Sequence, residues 1–215
     1  MLFRSKHYRG LVDHVTFQIQ QKIEATKALF ADTFINGDSA VNAKAFDGLD
    51  KALTGTDTEI TPDATIDLST AEAIKANKEL LIYWLDQMLS ELNGQPSALL
   101  VSRKAYAAIR TAATLLTQFT ATKDNLGRTI LQYSDIPIIV LGDKPGTTNP
   151  IIGADAEGNT SIYAVRIALD GVHAVSPAGQ LPVETYLPNF ELPGAVKFGE
   201  VEMVTAIALK ATKAA

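Results

Sequence analysis

The sequence predicts an α+β fold, and three observations carry that expectation. A long amphipathic stretch opens the chain, a helix-rich half follows it, and after Thr120 the texture turns to short apolar runs separated by turn residues. No strand–helix alternation is long enough for a doubly wound sheet, and no segment repeats. The 215 residues are enough to bury a core in one or two domains. At 47% hydrophobic and 20% charged residues, the balance is that of a folded chain.

Residues 11–35 place Val12, Val15, Ile19, Ile23, Phe30 and Phe34 at spacings of three, four and seven. This is one helix of about 25 residues, about 37 Å long at 1.5 Å per residue. Twice the usual length, it is a structural spine, with a coiled-coil seam as the alternative that Phe17 and Thr26 blur. The chain leaves it through Asn36-Gly37-Asp38. Asn and Gly accept the left-handed conformation that closes a helix, and Asp38 and Ser39 favour a turn before the apolar return at Phe46-Asp47-Gly48-Leu49.

A second helix is predicted over 69–92, opened by Ser69-Thr70-Ala71-Glu72 as a capping box and closed by Asn93-Gly94. Its stripe is Ile74, Leu81, Leu85, Met88 and Leu92. Leu80 to Leu85 is apolar nearly all round, which predicts cover on more than one side. Residues 97–102 read as a short buried strand, with Ser102 placed to cap a third helix from Arg103. Strand signals then follow at 128–133, 136–143, 161–169, 171–177 and 183–188, with one long closing strand over 195–211. Turns fall at Asn125-Leu126-Gly127, at 142–146 and at Glu157-Gly158-Asn159.

Chemistry is mostly excluded. Without Cys there is no disulfide, thiolate metal site or Cys nucleophile. The 19 basic against 24 acidic residues, net charge -5, argue against a dedicated nucleic-acid reader. The N-terminus lacks the apolar core of a signal peptide, and no stretch approaches the roughly 20 apolar residues of a membrane span. The expectation is a soluble protein kept in a cytoplasm, without membrane contact. His7, His14 and His173 have no metal-ligand spacing. The 142–150 stretch, GDKPGTTNP, lacks the Walker spacing and no helix follows it. In Ser102-Arg103-Lys104 the Lys comes two residues after Ser, not three. Asp57, Glu59, Asp63 and Asp67 are scattered among Thr and Pro, and Trp84 reads as a core aromatic. No metal, cofactor or catalytic residue is expected, and the chain is expected to work by its surfaces.

Several segments then converge. FINGDSAVNAKAFDGLDKALTG after the spine helix, ALLVSRKAYAAIR, KDNLGRTIL, DIPIIVLGD and TSIYAVRIALDGVHAVSP run in order over residues 11–175. In order and spacing this resembles the major capsid proteins of tailed phages with the Hong Kong 97-type fold. The resembling turns are Gly37-Asp38, Phe46-Asp47-Gly48-Leu49, Asn125-Leu126-Gly127-Arg128 and the Ile136-Pro137-Ile138-Ile139 strand.

The resemblance implies a peripheral domain of residues 1–37 and 181–215, and an axial domain of 38–180. Gly37, Asp38, Gly48 and Leu49 then mark the inter-domain turn. The implied function is a structural head protein of a tailed bacteriophage or prophage, self-assembling into an icosahedral shell around DNA. Its implied partners are further copies of itself in pentamers and hexamers, scaffold and portal proteins, and packaged DNA in weak non-specific contact. Its implied place is the virion, after assembly in a bacterial host cytoplasm. Candidate subunit contacts are Gln18, Lys22 and Lys27 on the spine helix and Asp143, Lys144 and Asn149 in the 142–149 loop. For each, a solvated face is the alternative. About ten residues precede the spine helix, so the N-terminal arm and extended hairpin that such proteins carry there are expected to be missing. The rival expectations are an encapsulin-like compartment of the same fold, a small α+β enzyme, and a coiled-coil adaptor.

Overall fold

The apolar spacing of the opening stretch folds as a single helix, α1 (His14–Asn36). The computed structural model describes residues 14–116, 119–123, 127, 129–179, 182–188 and 198–214. Only the C-terminal end of α1 enters the core, where Ile35 is fully buried. Farther back, Ile19, Ile23 and Phe30 are half-buried while Phe17 and Leu29 lie in solvent. A short helix, α2 (Leu49–Leu53), follows the exit loop.

The next helix, α3 (Ala71–Glu91), is capped by Thr70, whose hydroxyl accepts from Ala73 N at 3.1 Å. That choice of cap leaves the expected Ser69–Glu72 capping box unmade. Glu72 falls at the second helical position, and Ser69 N donates instead to the Asp67 carboxylate at 2.8 Å. Helix α3 buries Ile74, Leu81, Ile82 and Leu85. It is covered on one side only. Leu80 and Tyr83 remain 39% and 54% exposed, which corrects the expectation of cover on more than one side.

Strand β1 (Ala98–Val101) is buried throughout, and α4 (Arg103–Leu115) follows directly. As the sequence predicts, Ser102 is the cap, accepting from Ala105 N at 3.2 Å within the core. Three strands then run antiparallel: β2 (Phe119–Lys123), which the sequence pattern did not reveal, β3 (Thr129–Tyr133) and β4 (Ile136–Val140). The loop joining β3 to β4 is only Ser134-Asp135, and both residues take positive φ (51° and 64°). With β5 (Tyr163–Val165) the sheet order is β2-β3-β4-β1-β5. Strand β1 pairs in parallel with β4, Leu99 opposite Ile138, and antiparallel with β5.

Period-two alternation divides this sheet between two cores. On one face Leu99, Val101, Ile136 and Ile138 pack under α3 and α4. On the other, Ala98, Leu100 and Val165 meet Ile35, Leu49, Ile151, Ile152 and Val172.

The remaining strands make two ribbons. β6 (Val172–Val175) pairs with β9 (Ala206–Leu209), and β7 (Val183–Tyr186) pairs with β8 (Glu200–Met203). The expected single closing strand is therefore two. It breaks at Val204-Thr205, because its halves serve different partners, and Thr205 Oγ1 donates to Val175 O at 3.2 Å across the break. Of the expected Asn125-Leu126-Gly127-Arg128 turn, only Gly127 is described, with φ +76°. His7 and residues 195–197 also lie outside the described residues.

Candidate functional site

The exit from α1 is a clasp of two close backbones. Gly37 N still bonds back to Thr33 O at 2.9 Å, and Gly48 N returns across the loop to Gly37 O at 2.8 Å. Both glycines are buried, and neither has positive φ. A methyl group on Gly37 would run into the Phe46 and Thr33 carbonyl oxygens; one on Gly48 would run into the Ile35 carbonyl and stand 2.7 Å from Gly37 N. The expectation that Gly37 supplies a left-handed turn is corrected: it is required for close approach. Leu49 follows into the core at 0% exposure, and Phe46 lays its ring against Phe30 with centroids 5.9 Å apart.

Charge closes the outside of the clasp. Asp47 Oδ1 accepts from Ser39 N at 2.8 Å, Ser39 Oγ at 2.7 Å and Lys51 Nζ at 2.9 Å. Lys51 Nζ also reaches Asp38 Oδ1 at 2.6 Å. The Ser39 backbone and hydroxyl donors, with Lys51 behind them, hold the Asp47 carboxyl down at about 2. Lys51 and the Ala40 amide likewise lower Asp38, and Asp38 and then Asp47 raise Lys51.

The 142–149 loop is tied to the body at both ends. Arg103 Nη1 meets Asp143 Oδ2 at 2.9 Å and Lys144 Nζ lies 3.7 Å from Asp32 Oδ1. Lys144 N donates to Asn149 O at 2.8 Å across the loop, and Ile151 just beyond is buried. Asn36 Nδ2 bridges Asp32 Oδ1 and Ile151 O, both at 2.8 Å, and so fastens the end of α1 to this loop. Asn149 is exposed. On α1, Gln18 and Lys22 are exposed, and Lys27 pairs with Glu24 at 2.8 Å in full solvent.

Three surfaces escaped the sequence reasoning. On α3, exposed Leu80 and Tyr83 stand beside half-buried Trp84, whose ring meets Tyr83 edge to face at 5.5 Å. Between α4 and the β2–β3 hairpin lies an open groove of about 400 Å³, walled by Tyr106, Ala113, Phe119 and Leu131 with Arg110 among its lining. A third surface, the β7–β8 ribbon, sets Glu184 opposite Glu202 and Tyr186 opposite Glu200. The signal for the first was visible as the all-round apolar LLIYWL; the groove depends on a strand pairing that no local pattern announces.

The side chains considered for chemistry have structural positions. Ser102 is a buried cap, Glu59 and Asp67 close turns by accepting from Gly55 N and Ser69 N, and His173 lies in β6 opposite Ala208. Tyr133 and Tyr163 hydroxyls donate to Asp86 and Asp50, and burial followed by those carboxylates pushes both phenols up. Among the described residues no group of three or more His, Asp or Glu could hold a metal ion, and no helix is long and apolar enough to cross a membrane.

A spine helix, a five-stranded sheet between two cores and two outlying ribbons can be compared with solved structures as one arrangement. It is similar to a chain of the holo-SrpI encapsulin complex from Synechococcus elongatus PCC 7942, with a TM-score of 0.61 at 16% identity, over 98% of this chain. The likeness supports a Hong Kong 97-like fold. The chain spans 66% of the length of that encapsulin chain. No protein-family pattern matches the sequence. No curated protein matches it either.

Proposed function

We propose that this chain is a shell-forming structural subunit, and that its shell is an encapsulin-like compartment. One observation supports the reading above the rest: nearly the whole chain, 98% of it, superposes on an encapsulin chain. Shells of this kind work by repetition. One modest interface, multiplied around closed rings, turns individually weak contacts into a stable container. On this reading residues 1–37 with 181–215 form a peripheral domain, 38–180 form an axial domain, and the Gly37–Gly48 clasp is the crossing between them. Gln18, Lys22, Lys27, Asp143, Lys144 and Asn149 are proposed as contacts with neighbouring subunits.

A phage head is the second reading. It is favoured by the order of the Gly37-Asp38, Gly48-Leu49, Asn125-Leu126-Gly127-Arg128 and Ile136-Pro137 motifs. In that case the shell encloses DNA, with scaffold and portal proteins as partners.

The test is sedimentation velocity across protein concentration and salt, with negative-stain images of any heavy fraction. Rings or closed shells are expected. A strict monomer of 23.0 kDa under every condition overturns the shell reading. Particles purified from a bacterial cytoplasm separate the two readings by content: a co-purifying enclosed protein supports the compartment, and nuclease-protected DNA the phage head.

A further inference from the structure

An asparagine is chemically least protected when glycine follows it, because no side chain then keeps the next amide nitrogen away from the asparagine Cγ. The chain has two such pairs, Asn36-Gly37 and Asn93-Gly94, and they fold into opposite surroundings. At the first, Gly37 is buried and its amide is held by Thr33 O at 2.9 Å. Asn36 Nδ2 donates to Asp32 Oδ1 and to Ile151 O, so both reacting groups are fixed on separate partners. At the second, Asn93 and Gly94 are exposed, and the Asn93 side chain has no hydrogen-bond partner among the described residues. Gly94 N reaches only Leu92 O, at 3.1 Å across a three-residue turn, and its φ is +98°. A cation adjoins it. Arg166 Nη1 lies 3.4 Å from where a Cβ on Gly94 would stand, and Asp170 holds the same guanidinium at 2.6 Å. That charge favours the deprotonated amide that an attack on Cγ requires. The two Asp-Gly pairs are poorer candidates: Asp47 and Asp170 carry ion-paired carboxylates, and Gly48 N and Gly171 N are bonded to Gly37 O and Ala168 O.

We propose that Asn93 is a site of spontaneous covalent modification, losing its side-chain amide as ammonia to become an aspartyl or isoaspartyl residue. The deprotonated Gly94 N adds to Asn93 Cγ, the new N–Cγ bond closes a succinimide ring, and the Cγ–Nδ2 bond breaks. Nδ2 leaves as ammonia, taking up a proton in place of the one Gly94 N gave to water. Water then opens the ring. Cleavage of the new N–Cγ bond leaves aspartate, whereas cleavage at the main-chain carbonyl reroutes the backbone through Cβ and Cγ as isoaspartate. The site matters for what brackets it. Asn93 N donates to Lys213 O at 2.9 Å and Ser97 N to Val165 O at 2.8 Å, with Pro96 buried between them. An isoaspartyl link adds one main-chain carbon between these anchors, directly before β1, and strains the entry of the strand that both cores share. Either product also puts a carboxylate two residues after Glu91, at the C-terminal end of α3, where the helix dipole disfavours negative charge. The reaction needs no neighbouring subunit, so its failure leaves the shell reading in place.

The experiment ages the full chain at neutral and at mildly alkaline pH, folded and in urea. Peptides containing Asn36 and Asn93 are then read by mass spectrometry, with chromatographic separation of their aspartyl and isoaspartyl forms. In the folded chain Asn93 is expected to convert more than about tenfold faster than Asn36, whose reaction must first break three hydrogen bonds, and faster still at the higher pH. In urea the two rates are expected to converge, because the reacting pair of residues is the same. Equal rates in the folded chain, or an Asn93 that converts in urea and not when folded, overturn the proposal. Asn93→Gln is expected to keep its urea midpoint on ageing, while that of the parent falls with its isoaspartyl content. A parent that converts without losing stability overturns the strain on β1.

Discussion

If Gly37 served as a left-handed helix cap, Asn would be its best replacement; if it serves close approach, Asn is among the worst. That contrast makes Gly37→Asn and Gly48→Ala a direct test of the clasp. A Cβ at either position collides with backbone atoms, which cannot rotate away as a side chain end can: the Phe46 and Thr33 carbonyls for residue 37, the Ile35 carbonyl and Gly37 N for residue 48. Overpacking of this kind costs about 1–3 kcal/mol. Forcing the two segments apart also stretches the 2.8 Å bond from Gly48 N to Gly37 O, worth about 1 kcal/mol net. The sum is about 2–4 kcal/mol for each variant, which at about 1–3 kcal/mol per molar urea lowers the unfolding midpoint by at least about 0.7 M. Gly142→Ala is the control. Gly142 has open space around its missing Cβ and ordinary φ, so its stability should stay within about 0.5 kcal/mol of the parent. Equilibrium urea unfolding followed by Trp84 fluorescence and far-UV circular dichroism gives all three numbers. A Gly37→Asn protein as stable as the parent would refute the close-approach argument and restore the cap.

Three further outcomes are expected. Asp47 is held at about 2 against an ordinary 3.8, so its contribution is complete above the ordinary value and drains away as pH falls toward about 2. Asp47→Asn should therefore flatten the acid limb of stability between about pH 5 and pH 2, and an unchanged slope in urea midpoints would contradict the hydrogen-bond assignment. Ser102→Ala removes a buried cap and should cost about 1–2 kcal/mol, read from the same unfolding curves, with Ser102→Thr recovering much of it. Replacing Ser134-Asp135 by Asn-Gly relieves two positive-φ residues in a two-residue hairpin and should stabilise by about 1 kcal/mol; a neutral or negative result would mean those side chains contribute more than their strain.

What was legible in the sequence is what short-range geometry decides. The Ile74, Leu81 and Leu85 stripe needs only the helical period, and the Ser102 cap needs only a hydroxyl three residues before an amide. The α+β class followed from the same local signals. Where two local solutions were nearly equivalent, the choice missed by one residue: Ser69 and Thr70 both carry hydroxyls, and the structure uses Thr70. Long-range partners left no local mark. The closing segment has one unbroken β texture, yet β8 answers to β7 and β9 to β6. Gly37 and Gly48 could be seen as important but not why, since what crowds them is backbone brought in by the fold: the Phe46 and Thr33 carbonyls at Gly37, and the Ile35 carbonyl and Gly37 N at Gly48. Periodicity likewise showed that Leu80–Leu85 is apolar all round without showing that one side is left bare. The candidate contact residues Asp143 and Lys144 turn out to hold intrachain ion pairs, with Arg103 and Asp32, a use that charge alone in a loop sequence does not disclose.

The position of β1 in the sheet governs the order in which the chain can find its shape. Strands β2, β3 and β4 are neighbours in sequence, with β3 and β4 joined by the two-residue turn Ser134-Asp135, and can zip together early. β1 enters between β4 and β5, and its parallel register sets Leu99 against Ile138, 39 positions along the chain (138 − 99), while on its other side Leu99 faces Ala164, 65 positions along (164 − 99). Both loops must close before Leu99 and Val101 gain the burial that rewards closure, so the entropy is spent early and repaid late. The meander can exist without β1, but neither core can, because each draws alternate residues from that one four-residue strand. Whatever the outer surfaces do, they become available together, in the single step by which a central strand slots home.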